Sequence, residues 1–113
     1  MSLPRTAAAG LAKAGPVFFA LGDETRLAIV ARLSSGGPQS IVRLTSGSDV
    51  TRQAITKHLG VLARAGLVRG SRRGRERIWE LDSAGLDHAA RYLDGVSKRW
   101  DSALDRLRKL VEE

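Results

Sequence analysis

Along most of this chain apolar residues return every three or four positions, the period of a helix that buries one face. The first such segment lies within Ala7 to Leu21. Gly10 and Gly15 interrupt it, and Pro16 is placed to kink or restart the helix. The next is sharper. In "GDETRLAIVARLSSGG" Asp23 can cap a helix and Glu24 suits the positive end of its dipole. Ile29, Val30 and Leu33 share an inward face, and Gly36, Gly37 and Pro38 stop it. A short helix follows in "SIVRLTS", with Gly47 as the left-handed residue that ends it. Thr51 then caps another helix, with Val50 and Ile55 at the spacing of a hydrophobic staple. Inside that helix Ile55, Leu59 and Leu62 form the core stripe. Arg52, Gln53, Thr56, Lys57 and Gly60 form the opposite face.

The pattern then changes. "LVRGSRRGRERIWEL" has strand-like ends, Leu67-Val68 and Ile78-Trp79, around a basic glycine-containing turn. It predicts a β-hairpin with "RRG" near its tip. From Ser83 to Glu113 a long helix is predicted despite Gly85 and Gly95. Leu86, Ala89, Leu93, Val96, Trp100, Ala103, Leu107 and Leu110 alternate at three and four residues, a heptad pattern. That stripe is longer than packing onto so small a domain requires. It predicts a homodimer held by Leu86, Leu93, Val96, Trp100, Leu104, Leu107 and Leu110, with part of the stripe on its own domain. The alternative is a helix packed wholly within its own chain.

Charge sharpens the picture. Between Val50 and Arg77 there are eight basic residues and one acid, Glu76, a net +7. The whole chain also carries +7, so the remainder is neutral. Charge gathered in one place implies a polyanionic partner or membrane headgroups, whereas a merely solvated face would spread it. No apolar run is long enough for a membrane span, and the alanine-rich N-terminus lacks the pattern of a signal peptide. The absence of cysteine removes disulfides, thiolate metal sites and thiol nucleophiles, and is compatible with a cytoplasmic location. With two histidines and no cysteine in 113 residues, no convergent catalytic set is visible, so no enzyme activity and no cofactor are expected.

A short helix, a turn and a second helix with a polar front make a helix-turn-helix, whose second helix enters the major groove of double-stranded DNA. Arg and Lys can bond guanine, Gln can pair with adenine, and Thr can reach base edges or phosphate. Taken alone, the second helix also fits an ordinary amphipathic surface helix. The basic hairpin that follows decides for a winged helix, with the wing along the DNA backbone or minor groove. The fold expected is mainly α with a small β-hairpin. It is a single winged helix-turn-helix domain, with the helix-turn-helix at 40–66, the wing at 67–81 and a terminal dimerisation helix at 83–112. The DNA-binding set is Thr51, Arg52, Gln53, Thr56, Lys57 and His58 in the helix and Arg72, Arg73, Arg75 and Arg77 in the wing. His58 either faces DNA or packs its helix. The rival function is a non-specific nucleoid or RNA-binding protein. RNA modules present aromatic platforms, and this chain has five aromatics, none interleaved with the basic residues before Trp79.

"ALGDETRLAIVARL", "VTRQAITKHLGVLARAGLV" and a basic hairpin ending "RIWELD" closely resemble the ArsR/SmtB family of bacterial winged-helix regulators, over residues 16–82. The resemblance implies a homodimeric repressor joined through terminal helices. It would bind an imperfect inverted repeat and release it when an effector arrives. Many members sense metals, and this chain departs from their patterns. The third helix reads "SIVRLTS" where arsenic, cadmium and lead sensors have cysteines. In the last helix His88 is followed eleven residues later by Arg99, where zinc sensors require a second histidine. No metal site is expected, and the resemblance is to the metal-independent members.

Overall fold

The structure, a computed structural model, describes the backbone of residues 5–112 and the side chains of residues 10–112. The first four residues of the stretch read for a signal peptide, and Glu113, lie outside the described residues. The elements in chain order are α1 (Arg5–Leu21), α2 (Glu24–Gly36), β1 (Gln39–Ser40), α3 (Ile41–Thr45), α4 (Arg52–Arg64), β2 (Val68–Arg73), β3 (Glu76–Leu81) and α5 (Ser83–Glu112). The strands form one antiparallel sheet in the order β1-β3-β2.

The expected caps are in place. The Asp23 carboxylate accepts the Arg26 backbone N–H at 3.0 Å at the start of α2, and Thr51 Oγ1 accepts that of Ala54 at 3.1 Å at the start of α4. Gly47 has φ of 74°, the left-handed conformation expected after α3. Two details differ from expectation. Pro16 neither breaks nor restarts α1, which runs through it. Proline deprives the Ala12 carbonyl of its helical donor, but Ala12 is exposed and water can replace it. Ala14, Val17 and Ala20 are meanwhile buried and hold the helix on both sides of the proline. The sheet also has a third strand. Gln39 and Ser40 pair with Trp79 and Ile78 and tie the link between α2 and α3 to the wing.

One core joins every helix to the hairpin. Val17 and Ala20 of α1 meet Ile29 and Leu33 of α2, Leu44 of α3, and Ile55, Leu59 and Leu62 of α4. Leu67, Val68, Trp79 and Ala89 complete it. The start of α5 lies tightly against the corner between α4 and β2. Gly85 N–H donates to the Gly66 carbonyl at 2.8 Å, and a Cβ on Gly85 would sit 2.6 Å from the Ala65 oxygen. Only glycine fits there. Farther along, α5 packs on α1, with the Tyr92 ring edge-on to Phe18 at 6.0 Å between centroids, and then leaves the body. Among the described residues none of the buried core lies beyond Ala89, and the molecule extends 67 Å along its long axis against 28 and 22 Å across.

Candidate nucleic-acid interface

Helix α4 divides cleanly into two faces. Ile55, Leu59 and Leu62 are at most 2% exposed, while Arg52, Gln53, Thr56 and Lys57 all face solvent. The first turn carries no acid and begins with Arg52. A helix selected only for stability would place acids there, because the amide dipoles leave that end positive. A cation at the positive end suits an anion arriving from outside, as DNA phosphate does. Thr56 Oγ1 donates to the Arg52 carbonyl at 2.9 Å, which fixes its methyl and leaves oxygen lone pairs for a partner. Thr51 keeps its hydroxyl hydrogen free, since its oxygen is the acceptor in the cap.

His58 does not share this front. Its side chain is 23% exposed, and Nδ1 lies 3.3 Å from an Arg26 guanidinium nitrogen and 3.9 Å from an Asp23 oxygen. Of the two roles open to it, the ring takes the packing one. Position 58 is three residues after Ile55 and four before Leu62, so it falls on the edge of the buried stripe. For Arg26 to donate to Nδ1, the neutral ring must carry its proton on Nε2. Asp23 is held below the ordinary carboxylate range, first by the Arg26 backbone N–H, with the Arg26 guanidinium adding favourable charge.

The helix-turn-helix is positioned by two side chains the sequence patterns do not reveal. Helix α3 has five residues, too few to be stable alone. Arg32 of α2 reaches its C-terminal end and donates to the carbonyls of Arg43 at 2.7 Å, Leu44 at 2.8 Å and Ser46 at 3.4 Å. These oxygens lie at the helix end, where backbone donors run short, although that of Arg43 also accepts the Ser46 N–H at 3.2 Å. Buried Gln39 donates in turn to the Arg32 carbonyl at 2.9 Å. On the other side Arg26 donates to the Ala20 carbonyl at 2.6 Å and the Phe19 carbonyl at 3.3 Å, closing the end of α1 while touching His58 of α4. Both bonding patterns span six or more residues, beyond any local motif.

In the wing, β2 and β3 pair from Val68–Leu81 to Arg73–Glu76. Gly74, at φ 63°, and Arg75, whose φ is not positive, form the two-residue turn, which suits the type II′ geometry with glycine first. Alternation sorts the arginines. Arg72 and Arg77 are cross-strand partners on the face that carries Val68 and Trp79, and Arg73 lies on the opposite face with Arg69. All four predicted wing arginines are exposed. Arg69, by contrast, is bound to Glu80 at 2.9 Å. The Arg77 guanidinium lies 4.9 Å from the centroid of the Trp79 ring.

On α5 the predicted stripe is open to solvent. Leu93, Val96, Trp100, Leu104, Leu107 and Leu110 are all exposed, as are Leu11 and Phe19 of α1. Leu86 differs from the rest of the expected dimer set, because the first turn of α5 packs it on the chain's own core. Among the described residues no group of three His, Cys, Asp or Glu could hold a metal ion, and no helix is long and apolar enough to cross a membrane.

Comparison with known proteins agrees with this geometry. A helix-turn-helix domain family matches residues 21–71. The HTH-type transcriptional regulator Rv2034 of Mycobacterium tuberculosis is 38% identical over 93 residues, covering 82% of this chain and 83% of that protein. The HTH-type transcriptional repressor SmtB of the same organism is 32% identical over 80% of this chain and 65% of its own. Among solved structures, an ArsR-like transcriptional regulator from Rhodococcus sp. RHA1 superimposes with a TM-score of 0.83 at 36% identity, over 93% of this chain and 95% of that one. Fold, two-faced α4 and kinship together establish that this chain belongs to the ArsR family of DNA-binding, winged helix-turn-helix transcriptional regulators.

Proposed function

We propose that the protein is a homodimeric cytoplasmic repressor that binds an inverted-repeat operator. Arg52, Gln53, Thr56 and Lys57 read bases in the major groove. Thr51 and the wing arginines Arg72, Arg73, Arg75 and Arg77 hold the sugar-phosphate backbone or enter the minor groove. The observation that carries this reading is the division of α4. Its core stripe is buried, and four polar side chains stand unobstructed on its first two turns. The exposed apolar stripe of α5 is the surface for a second copy, which would present two α4 helices to two half-sites. Kinship with a protein named as a repressor supports the direction of regulation. The effector is something other than a metal: the sequence has no cysteine, and among the described residues no group of three His, Asp or Glu could hold an ion.

The test is genome-wide mapping of bound DNA, followed by titration of the recovered site against excess heterologous DNA. A specific repressor stays on its site and protects two symmetric halves. Equal competition by heterologous DNA would mark a bulk nucleic-acid binder instead.

A further inference from the structure

The wing contains an arrangement its sequence does not announce. Gly70 is the cross-strand partner of Trp79, and Arg77 stands two residues before Trp79 on the same face. Trp79 is 6% exposed and anchored in the core, whereas Arg77 is exposed. The Arg77 side chain runs back along the strand and lays its guanidinium over the indole, 4.9 Å from the ring centroid. Gly70 makes the room. A Cβ there would lie 2.7 Å from Arg77 Nε and 3.2 Å from two carbons of the Trp79 ring. Among the described residues no hydrogen bond or ion pair engages the Arg77 guanidinium.

We propose that Gly70 and Trp79 form a clasp that pre-orders Arg77 as the principal phosphate contact of the wing. The proposal rests on the reading of the wing as a DNA-binding element. A guanidinium resting over a ring keeps N–H groups free, and these can match two phosphate oxygens. An arginine loose in solvent loses rotamer freedom when it binds, and a clasped one has already lost much of it. Arg72 is the internal control. It shares the hairpin face, the exposure and the charge of Arg77, and no ring underlies it among the described residues. Arg77 is the contacting residue, and Gly70 and Trp79 are positioning residues.

The experiment is fluorescence-anisotropy titration of the full chain with a labelled mixed-sequence duplex at several salt concentrations. Arg77→Ala is expected to weaken binding about tenfold and Arg72→Ala about threefold, with the log–log salt slope falling by roughly one unit in each. Gly70→Ala removes no charge, yet is expected to weaken binding about threefold by pushing Arg77 off the ring. Placed on top of Arg77→Ala, it should add nothing. Trp79→Phe keeps an aromatic in the core with a weaker π face. It gives a second cycle with Arg77→Ala should Gly70→Ala fail to fold. Equal losses for Arg77→Ala and Arg72→Ala, or full additivity in the cycle that folds, would overturn the clasp while leaving the wing as a DNA contact. If none of the four wing arginines affects affinity or salt slope, the wing reading itself fails, and the clasp with it.

Discussion

Replacing Trp100 by glutamate should separate the dimer, and the structure allows the size of the effect to be worked out. Trp100 is 64% exposed in the single chain, midway along the open stripe of α5. A tryptophan side chain presents roughly 250 Å² at most, so about 160 Å² is available to a partner. At ~25 cal/mol per Å², complete coverage stabilises the dimer by about 4 kcal/mol per copy. Coverage of only half that area gives about 2 kcal/mol per copy and about 4 per dimer, a thousandfold in Kd. Trp100→Glu forfeits this and adds the cost of desolvating two carboxylates. Trp100→Phe keeps most of the apolar area and should remain dimeric. Sedimentation velocity at micromolar concentration reads the outcome directly. A dimeric wild type, a dimeric Phe variant and a monomeric Glu variant are expected. A Glu variant that sediments as a dimer, or a wild type that sediments as a monomer, refutes the assignment of this stripe.

Three further outcomes are expected. Gln53→Ala should relax base preference by about 1–3 kcal/mol at one operator position, while Arg73→Ala should weaken all DNA alike and lower the log–log salt slope by roughly one unit. Titration of both variants against matched and mutated operators tests this, and the reverse pattern would exchange the roles of helix and wing. Asp23→Ala should destabilise the fold at neutral pH. Because the Asp23 pKa is depressed in the folded state, its contribution is present above the ordinary carboxylate range and lost as pH falls through the folded value. Urea unfolding of variant and wild type should therefore converge in acid, and a constant difference across pH would contradict the charged cap. Zinc, cadmium or arsenite should leave operator affinity unchanged in anisotropy titrations, and a stoichiometric metal that releases DNA would disprove the metal-independent reading.

Elements with strong local signals were legible in the sequence. The caps at Asp23 and Thr51, the stripe Ile55-Leu59-Leu62 and the heptads of α5 each follow from near-neighbour physics, and all are present. What escaped depends on residues far apart in the chain. Strand β1 has two residues and exists because Trp79 and Ile78 pair with it, so no periodicity could mark it. Arg26 and Arg32 look like ordinary helical cations until the carbonyls they cap are brought to them. The four wing arginines read as one basic cluster, and only the strand register separates Arg72 and Arg77 from Arg73. The inward turn of His58 could have been inferred from its spacing to Ile55 and Leu62. The basic residues around it drew that position towards DNA instead.

The two-sided construction of α4 has an evolutionary consequence. Residues that hold the helix in place and residues that would read DNA are separate sets on opposite faces. Exposed positions of this kind tolerate most substitutions within about 0.5 kcal/mol of stability. Gln53 and Thr56 can therefore change through successive generations without eroding the fold, and duplicated copies of the gene can diverge in operator preference while remaining equally robust. Exchange at Ile55, Leu59 or Leu62 lacks that freedom, because each truncation there leaves a cavity costing about 2–5 kcal/mol, a large share of the stability of a domain this small. The repertoire of sites such a scaffold can explore is thus set by one half of a single helix, and its survival by the other.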